Sequence, residues 1–253
     1  MRLLAGKHLI PDGDNGTVLI LGRDAFRDTL LNNERTYVSA EWGGRSKAFA
    51  GQGIVTGDLV VKEMMLGWQN EWPTRRDELM AVLRINPEWR MFQLSDGQRR
   101  RVQLFLALLQ PSQLIILDEV LGLLDLITRQ DFLAFLKKET ETRNVSVVLA
   151  TNIFDGLEDW TTTLVYVKDR SIGACGIPST MSEYQDFKND RVVSNPLFRT
   201  VEMWLRKEMQ EKKDRKEDCM EQEGGETGSD RTALDAQRSA GGYAHGRMTS
   251  MMM

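Results

Sequence analysis

Five short runs along the chain are apolar at most or all of their positions and have the length of strands. TVLIL (17–21) follows the turn-rich PDGDNG, and TYVSA (36–40) comes next. LIIL (114–117) ends in Asp118-Glu119, and SVVLA (146–150) ends in Thr151-Asn152. LVYV (164–167) leads into KDRSIGACG, which reads as a hairpin turn. All-apolar strands separated by helical stretches predict a parallel sheet buried on both faces. Between the strands the period changes. RRRVQLFLALL (99–109) is apolar on one side and basic at its start, and 127–143 is predicted to set Ile127, Phe132, Phe135 and Leu136 on one helix face. Residues 62–91 read as short helices (KEMMLGW, RRDELMAVLRI) broken at Pro73 and Pro87, a helical insertion between strands, and 196–213 is a further amphipathic helix.

The 253 residues are 41% hydrophobic and 28% charged, enough for one sizeable α/β domain with a core. The longest apolar run, Leu104 to Leu109, is far short of the roughly 20 residues a membrane span needs. The apolar part of MRLLAGKHLIPDGDNG is too short for a signal peptide, so a soluble, intracellular protein is expected. A net charge of −4 gives no expectation of direct nucleic-acid binding. Two cysteines, Cys175 and Cys219, and two histidines, His8 and His245, are too few and too scattered for a disulfide framework or a zinc site. From Arg206 to Glu223 six Lys/Arg stand against seven Asp/Glu, a solvated helix that gives way to a Gly/Ser/Thr tail expected to be disordered.

The chemistry is concentrated in LSDGQRRRVQLFLALLQPSQLIILDE, residues 94–119. Ser95 can cap a helix whose first amides then face outward, and a helix N-terminus favours anions. The strand ending in Asp118-Glu119 puts two carboxylates at the carboxyl edge of a parallel sheet, where such folds bind ligands. An aspartate there can hold Mg²⁺ through water, and a glutamate can polarise an attacking water.

These motifs resemble the nucleotide-binding domain of the ATP-binding cassette (ABC) ATPases. LSDGQ is similar to the family signature, usually LSGGQ, and LIILDE to Walker B with the catalytic glutamate. LGRDAFRDT, RRDEL, EWRMFQLSDGQRRRVQ and IFDGLEDW are similar to the transporter-less eukaryotic members of the I subfamily, over roughly residues 2–205. The resemblance implies a P-loop NTPase-like α/β fold over 1–205, with a helical subdomain near 62–108 and a charged helix end and tail over 206–253. It implies nucleotide contacts from Ser95, Asp96, Gly97, Gln98, Asp125 (D-loop) and Glu41 (near the Q-loop glutamine). It further implies Mg²⁺ at Asp118 through water, and catalysis by Glu119 with Asn152 at the switch-histidine position. ATP and Mg²⁺ are the implied cofactors.

An absent motif and two substituted letters depart from the family pattern. The sequence contains no G-x-x-x-x-G-K-[ST], and a stretch like RLLAGKHL belongs on the helix just after that loop. The chain is therefore expected to begin downstream of the phosphate cradle and of the sheet's first strand, through a start set too late or a shortened copy. Asn152 cannot carry the charge of a histidine or transfer its proton, so weak hydrolysis is expected; Asn152 also simply ends a strand. Asp96 stands for a glycine and should repel a γ-phosphate unless it points away or pairs with Arg99 or Arg100.

Other features have plainer readings. DGDNG (12–16) fits a β-turn better than a calcium loop, and GQGIVTG (51–57) a loop better than a dinucleotide fingerprint. The basic run 99–101 is expected to be a solvated face, and Trp42, Trp68, Trp72 and Trp89 packing residues. The expected function is an ABC-type ATPase module working as a homodimer or as a heterodimer with another ABC domain, cytoplasmic or nuclear. By subgroup resemblance it serves an mRNA-decay or transcription-regulatory complex. The alternatives are a non-catalytic ABC-fold scaffold and a fragment of a full-length ATPase.

Overall fold

The computed structural model describes residues 1–8, 17–40, 58–65, 70–190 and 193–225, the last ten of these by backbone alone. The calcium-loop and fingerprint candidates, Glu41, Trp42, Trp68 and the tail beyond 225 lie outside the described residues. The chain divides into two compact units, Met1–Thr162 and Thr163–Met253.

The first unit is built on three parallel strands in the order β3 (Arg35–Ser39), β4 (Leu114–Asp118) and β5 (Ser146–Ala150). Their register places Ser39, Asp118 and Ala150 side by side, so all three strands end at one level. Strand β4 is central and is buried from Leu114 to Leu117. One sheet face carries Leu114 and Ile116 beneath Ala5, Ile20, Ala25 and Leu31. On the other side α3 (Asp96–Leu109) packs on β3, and α4 (Leu126–Arg143) on β5.

The segment Arg2–Lys7 has the hydrogen bonds of a helix C-terminus. Lys7 N–H donates to the Arg2 carbonyl at 3.0 Å, and Gly6 N–H to the Leu3 carbonyl at 3.0 Å. With Gly6 left-handed at φ +63° this is a Schellman motif closing a single turn. The resemblance implied a helix for RLLAGKHL; only this final turn is formed. Glycine is required there, because a Cβ at Gly6 would lie 2.1 Å from the Ala25 carbonyl oxygen and 2.3 Å from Arg35 Nη2.

Two expected strands do not join the parallel sheet. Of TVLIL only β1 (Leu19–Ile20) is extended, and it pairs antiparallel with β2 (Arg23–Asp24). Leu21 and Gly22 between them are both left-handed, φ 50° and 76°, the geometry of the tightest hairpin turn. In the second unit LVYV becomes β6 (Leu164–Lys168), paired antiparallel with β7 (Ser171–Gly176) through Asp169 and Arg170, at φ 48° and 64°. The hairpin-like turn is as expected, and it makes the strand antiparallel. Tyr166 stacks on Trp204 of α6 (Pro196–Gly225) at 5.3 Å between centroids and donates its hydroxyl to Glu208. Burial first, then Glu208, pushes the phenol up to about 12.

The helical insertion appears as α1 (Val61–Met65) and α2 (Pro73–Val82). Pro73 starts α2 rather than breaking a helix, because its missing N–H falls where no partner is needed. Helix α5 (Ser182–Asn189) was not expected. In α4 the buried face is Thr128, Phe132, Phe135, Leu136 and Glu139, while Ile127 is 57% exposed, against expectation. Five residues before Phe132, it lies about 140° round the helix from it. The buried Glu139 receives Arg75 of α2 and Arg143 of its own helix, each at 2.7 Å.

Candidate functional site

The carboxyl edge of the three strands carries Asp118, Glu119 and, two residues past β5, Asn152. Asp118 is the last residue of β4, level with Ser39 of β3 and Ala150 of β5. Its Oδ2 accepts the Tyr37 hydroxyl at 3.0 Å. Burial and the neighbouring Asp118 push the Tyr37 phenol up, so it stays a donor at neutral pH. The Lys7 ammonium lies 4.9 Å from the centre of the Tyr37 ring on the same side of the site. Tyr37 carries no motif; only the strand register could have revealed it.

Glu119 follows with φ +54°, a conformation a glutamate rarely adopts. Its N–H donates to the Ala150 carbonyl at 2.9 Å, which continues the β4–β5 ladder one residue past the strand and fixes the turn. The carboxylate is left exposed at the edge. Asn152 is also exposed, two residues beyond β5. Between them Thr151 Oγ1 accepts the Ile153 N–H at 3.0 Å and bends the chain out of the strand.

Ser95–Gln98 form a complete capping box at the start of α3. Ser95 Oγ accepts the Gln98 N–H at 3.3 Å, and Gln98 Oε1 accepts the Ser95 N–H at 2.9 Å. Asp96 pairs with Arg99 at 3.3 Å, one of the two partners expected for it. Gly97 lies against the loop after Glu119: a Cβ there would be 2.9 Å from the Leu123 carbonyl oxygen. The basic run is not the solvated face expected. Arg100 is buried, Arg101 lies 5.7 Å over the Trp89 ring, and Arg99 holds Asp96.

Asp125 caps α4. Its Oδ1 accepts the Thr128 N–H at 2.9 Å and its Oδ2 the Thr128 hydroxyl at 2.8 Å. These two bonds hold its carboxyl below the ordinary aspartate range. Replacing Asp125 by alanine is expected to destabilise the fold by about 1 kcal/mol, the usual cost of a lost N-cap. Because the folded pKa is the lower one, the cap contributes fully above the unfolded value of about 4 and fades as pH falls through the folded value. Thermal melts of both proteins from pH 7 down to 3 check this: the gap between them should close with acid.

The sequence matches the family model described as ABC transporter over residues 1–122. It is 40% identical over 221 residues to ABC transporter I family member 20 of Arabidopsis thaliana, covering 86% of this chain and 64% of that one. With ABC transporter I family member 21 of the same plant it shares 39% over 219 residues, 85% of this chain and 74% of the relative. The chain belongs to the ATP-binding cassette family. CCR4-associated factor 16 of Saccharomyces cerevisiae is 39% identical over 188 residues, covering 68% of this chain and 61% of that one. The chain thus spans under two thirds of the length of the first plant relative and of the yeast protein. Solved ABC structures share the fold. One is cbiO1 from Clostridium perfringens, at 17% identity and TM-score 0.55, over 79% of this chain and 80% of that one. A dimeric ATP-binding cassette in a post-hydrolysis state with ADP and Pi follows at 20% and 0.51, over 65% and 74%. No helix among the described residues is long and apolar enough to cross a membrane.

The donor set of this ABC domain can be tested against Mg²⁺. Among the described residues no three His, Cys, Asp or Glu side chains gather into a metal cage. One oxygen of Asp118 accepts from Tyr37, so a metal-bound water would be met by the other. A single carboxylate acting through water suits Mg²⁺, which keeps most of its waters and takes phosphate oxygens as further ligands. The capped start of α3 suits an anion, with the Asp96 charge offset by Arg99.

Proposed function

We propose that this ABC domain works as a nucleotide-dependent dimer, and that its Ser95–Gln98 turn closes over ATP held by a second cassette. The observation that carries this reading is the reciprocal Ser95–Gln98 capping box. It leaves the remaining first-turn amides of α3 aimed outward in a fixed direction, which is what recognition of a phosphate across an interface requires. Within the chain's own edge, Asp118 would hold Mg²⁺ through water while Tyr37 fixes the carboxylate's second oxygen. Mg²⁺ would neutralise charge on the transferring phosphoryl group. Glu119, exposed and fixed at its backbone, orients the attacking water. Asn152 can donate a hydrogen bond but not a proton at neutral pH, so turnover is slow. The dimer passes its nucleotide state to a protein partner in the cytoplasm or nucleus. The yeast relative's name, a CCR4-associated factor, makes an mRNA-decay or transcription-regulatory assembly the first partner to try.

A second reading is favoured by the contrast between the two halves of the site. The signature turn is complete, whereas the sequence contains no G-x-x-x-x-G-K-[ST] cradle. On this reading the chain is a non-hydrolysing cassette that serves a partner ABC domain in trans.

Sedimentation of the purified chain with increasing Mg·ATP tests the first reading. A shift to dimer is expected, and Ser95→Arg should abolish it by placing bulk and charge where the phosphate sits. A chain that stays monomeric at every ATP concentration, or a variant that dimerises as well as the parent, overturns it.

A further inference from the structure

Arg100 is the feature of α3 that the phosphate chemistry does not use. It is 6% exposed, and among the described residues no carboxylate pairs with it. Its charge is met by dipoles instead. Nη1 donates to the Ser39 carbonyl at 2.8 Å and to Gln103 Oε1 at 2.5 Å, and Nη2 donates to the Ala40 carbonyl at 2.6 Å. Gln103 adds its own Nε2–H to Ser39 at 3.2 Å. Burial pulls the Arg100 pKa below the usual guanidinium value without neutralising it.

Taking a guanidinium out of water without a counter-ion is unfavourable, and an apolar side chain would fill the space more cheaply. What an apolar residue cannot do is hold two consecutive carbonyls at the end of a strand. A planar fork does that in one geometry only. The two carbonyls are the last of β3 and the first beyond it, immediately before Glu41. On the same helix, one turn earlier, Gly97 leaves no room for a side chain against the Leu123 carbonyl, where a Cβ would come within 2.9 Å. The start of α3 is therefore seated at two points, the exit of β3 and the loop that follows Asp118-Glu119.

We propose that Arg100, seconded by Gln103, is a positioning residue that fastens the Ser95–Gln98 turn to the carboxyl end of β3, so that the turn and the strand exit move as one body. A displacement of the chain at the exit of β3 is then transmitted to the signature turn without passing through nucleotide. This coupling stands on the contacts within one chain and does not depend on dimerisation or hydrolysis.

Hydrogen exchange on the nucleotide-free full chain tests it. In Arg100→Met, peptides covering 35–40 and 95–101 should exchange at least about tenfold faster, while peptides from α4 stay within about twofold of the parent. Arg100→Lys, with one prong instead of two, should fall between. Arg101→Met, next on the helix but facing Trp89, should leave both peptides unchanged. Should Arg100→Met fail to fold, Gln103→Leu gives the same readout at smaller amplitude. Unchanged exchange in 95–101, or an increase spread evenly through α4 and β4, overturns the proposal, the second result assigning Arg100 to overall stability alone. A failure to dimerise with ATP touches only the functional reading and leaves this result standing.

Discussion

Replacing Glu139 by alanine is expected to destabilise the first unit by about 3–5 kcal/mol, the cost of leaving a buried charge unpaired. The Glu139 side chain is 7% exposed and that of Arg75 10%, and they meet at 2.7 Å. Arg75 also donates its Nε–H to the Leu108 carbonyl at 2.8 Å and lies 5.4 Å from the centre of the Phe135 ring. One side chain of α2 thus touches the C-terminal end of α3 and the middle of α4. Burial alone pulls the Arg75 guanidinium down, and Glu139 is the main influence restoring it. Remove the carboxylate and that desolvated cation keeps the Leu108 carbonyl but loses its ion-pair partner, while Arg143 loses its contact with Glu139 as well. In a chain of this size each kcal/mol is worth roughly 2–4 °C in the melting temperature, so a fall of roughly 6–20 °C is expected in a thermal melt. The triple variant R75M/E139M/R143M should recover most of the loss, because an apolar cluster of similar volume needs no counter-charge. A Glu139→Ala melt within about 2 °C of the parent would show that water reaches the pair.

Glu119→Gln should leave the melt where it is and lower ATP turnover by about 10²–10⁴-fold, the range typical of a lost general base. The two halves of this expectation come from different observations. Glu119 is exposed, and among the described residues only its backbone is bonded, to Ala150. Glutamine keeps the backbone and the shape but cannot accept a proton. Asn152→His in the same assay should raise turnover, since an imidazole at that place can take up and hand on a proton near neutral pH. A Glu119→Gln enzyme as fast as its parent removes Glu119 from the chemistry. A parent with no turnover at any ATP concentration selects the reading in which the cassette serves its partner.

Much of this site could be read from the letters. The run Leu114–Leu117 is buried because it is apolar at every position, and Asp118 and Glu119 fall at its end because a strand of that length stops there. Ser95 is legible as a helix cap, whereas the return bond from Gln98 that completes the box is seen only in the structure. What escaped the sequence depends on contacts between distant segments. Arg100 looks like its two arginine neighbours, and only the packing of α3 against β3 shows that it is buried. Tyr37 reaches Asp118 because β3 and β4 are neighbours in a particular register. TVLIL reads as a strand, yet only Leu19–Ile20 is extended, because the turn at Leu21-Gly22 outweighs its β propensity, and a leucine in a left-handed turn leaves no mark in composition.

The level ending of the three strands has a consequence for how such a chain can vary. Ser39, Asp118 and Ala150 lie side by side, and along β4 side chains alternate between the two faces of the sheet. Asp118 shares its face with Leu114 and Ile116, where Tyr37 waits for it. A one-residue insertion or deletion anywhere between Leu114 and Asp118 would exchange the two faces. The carboxylate would then turn toward the helices and a leucine or isoleucine toward Tyr37. Substitution within these strands is graded in its effect, whereas a change in their length is all-or-none. A change in length is therefore expected to be tolerated only in the connections, and the spacing from Ser146 to Asn152 or from Leu114 to Glu119 is as much a part of the site as the residues that end it.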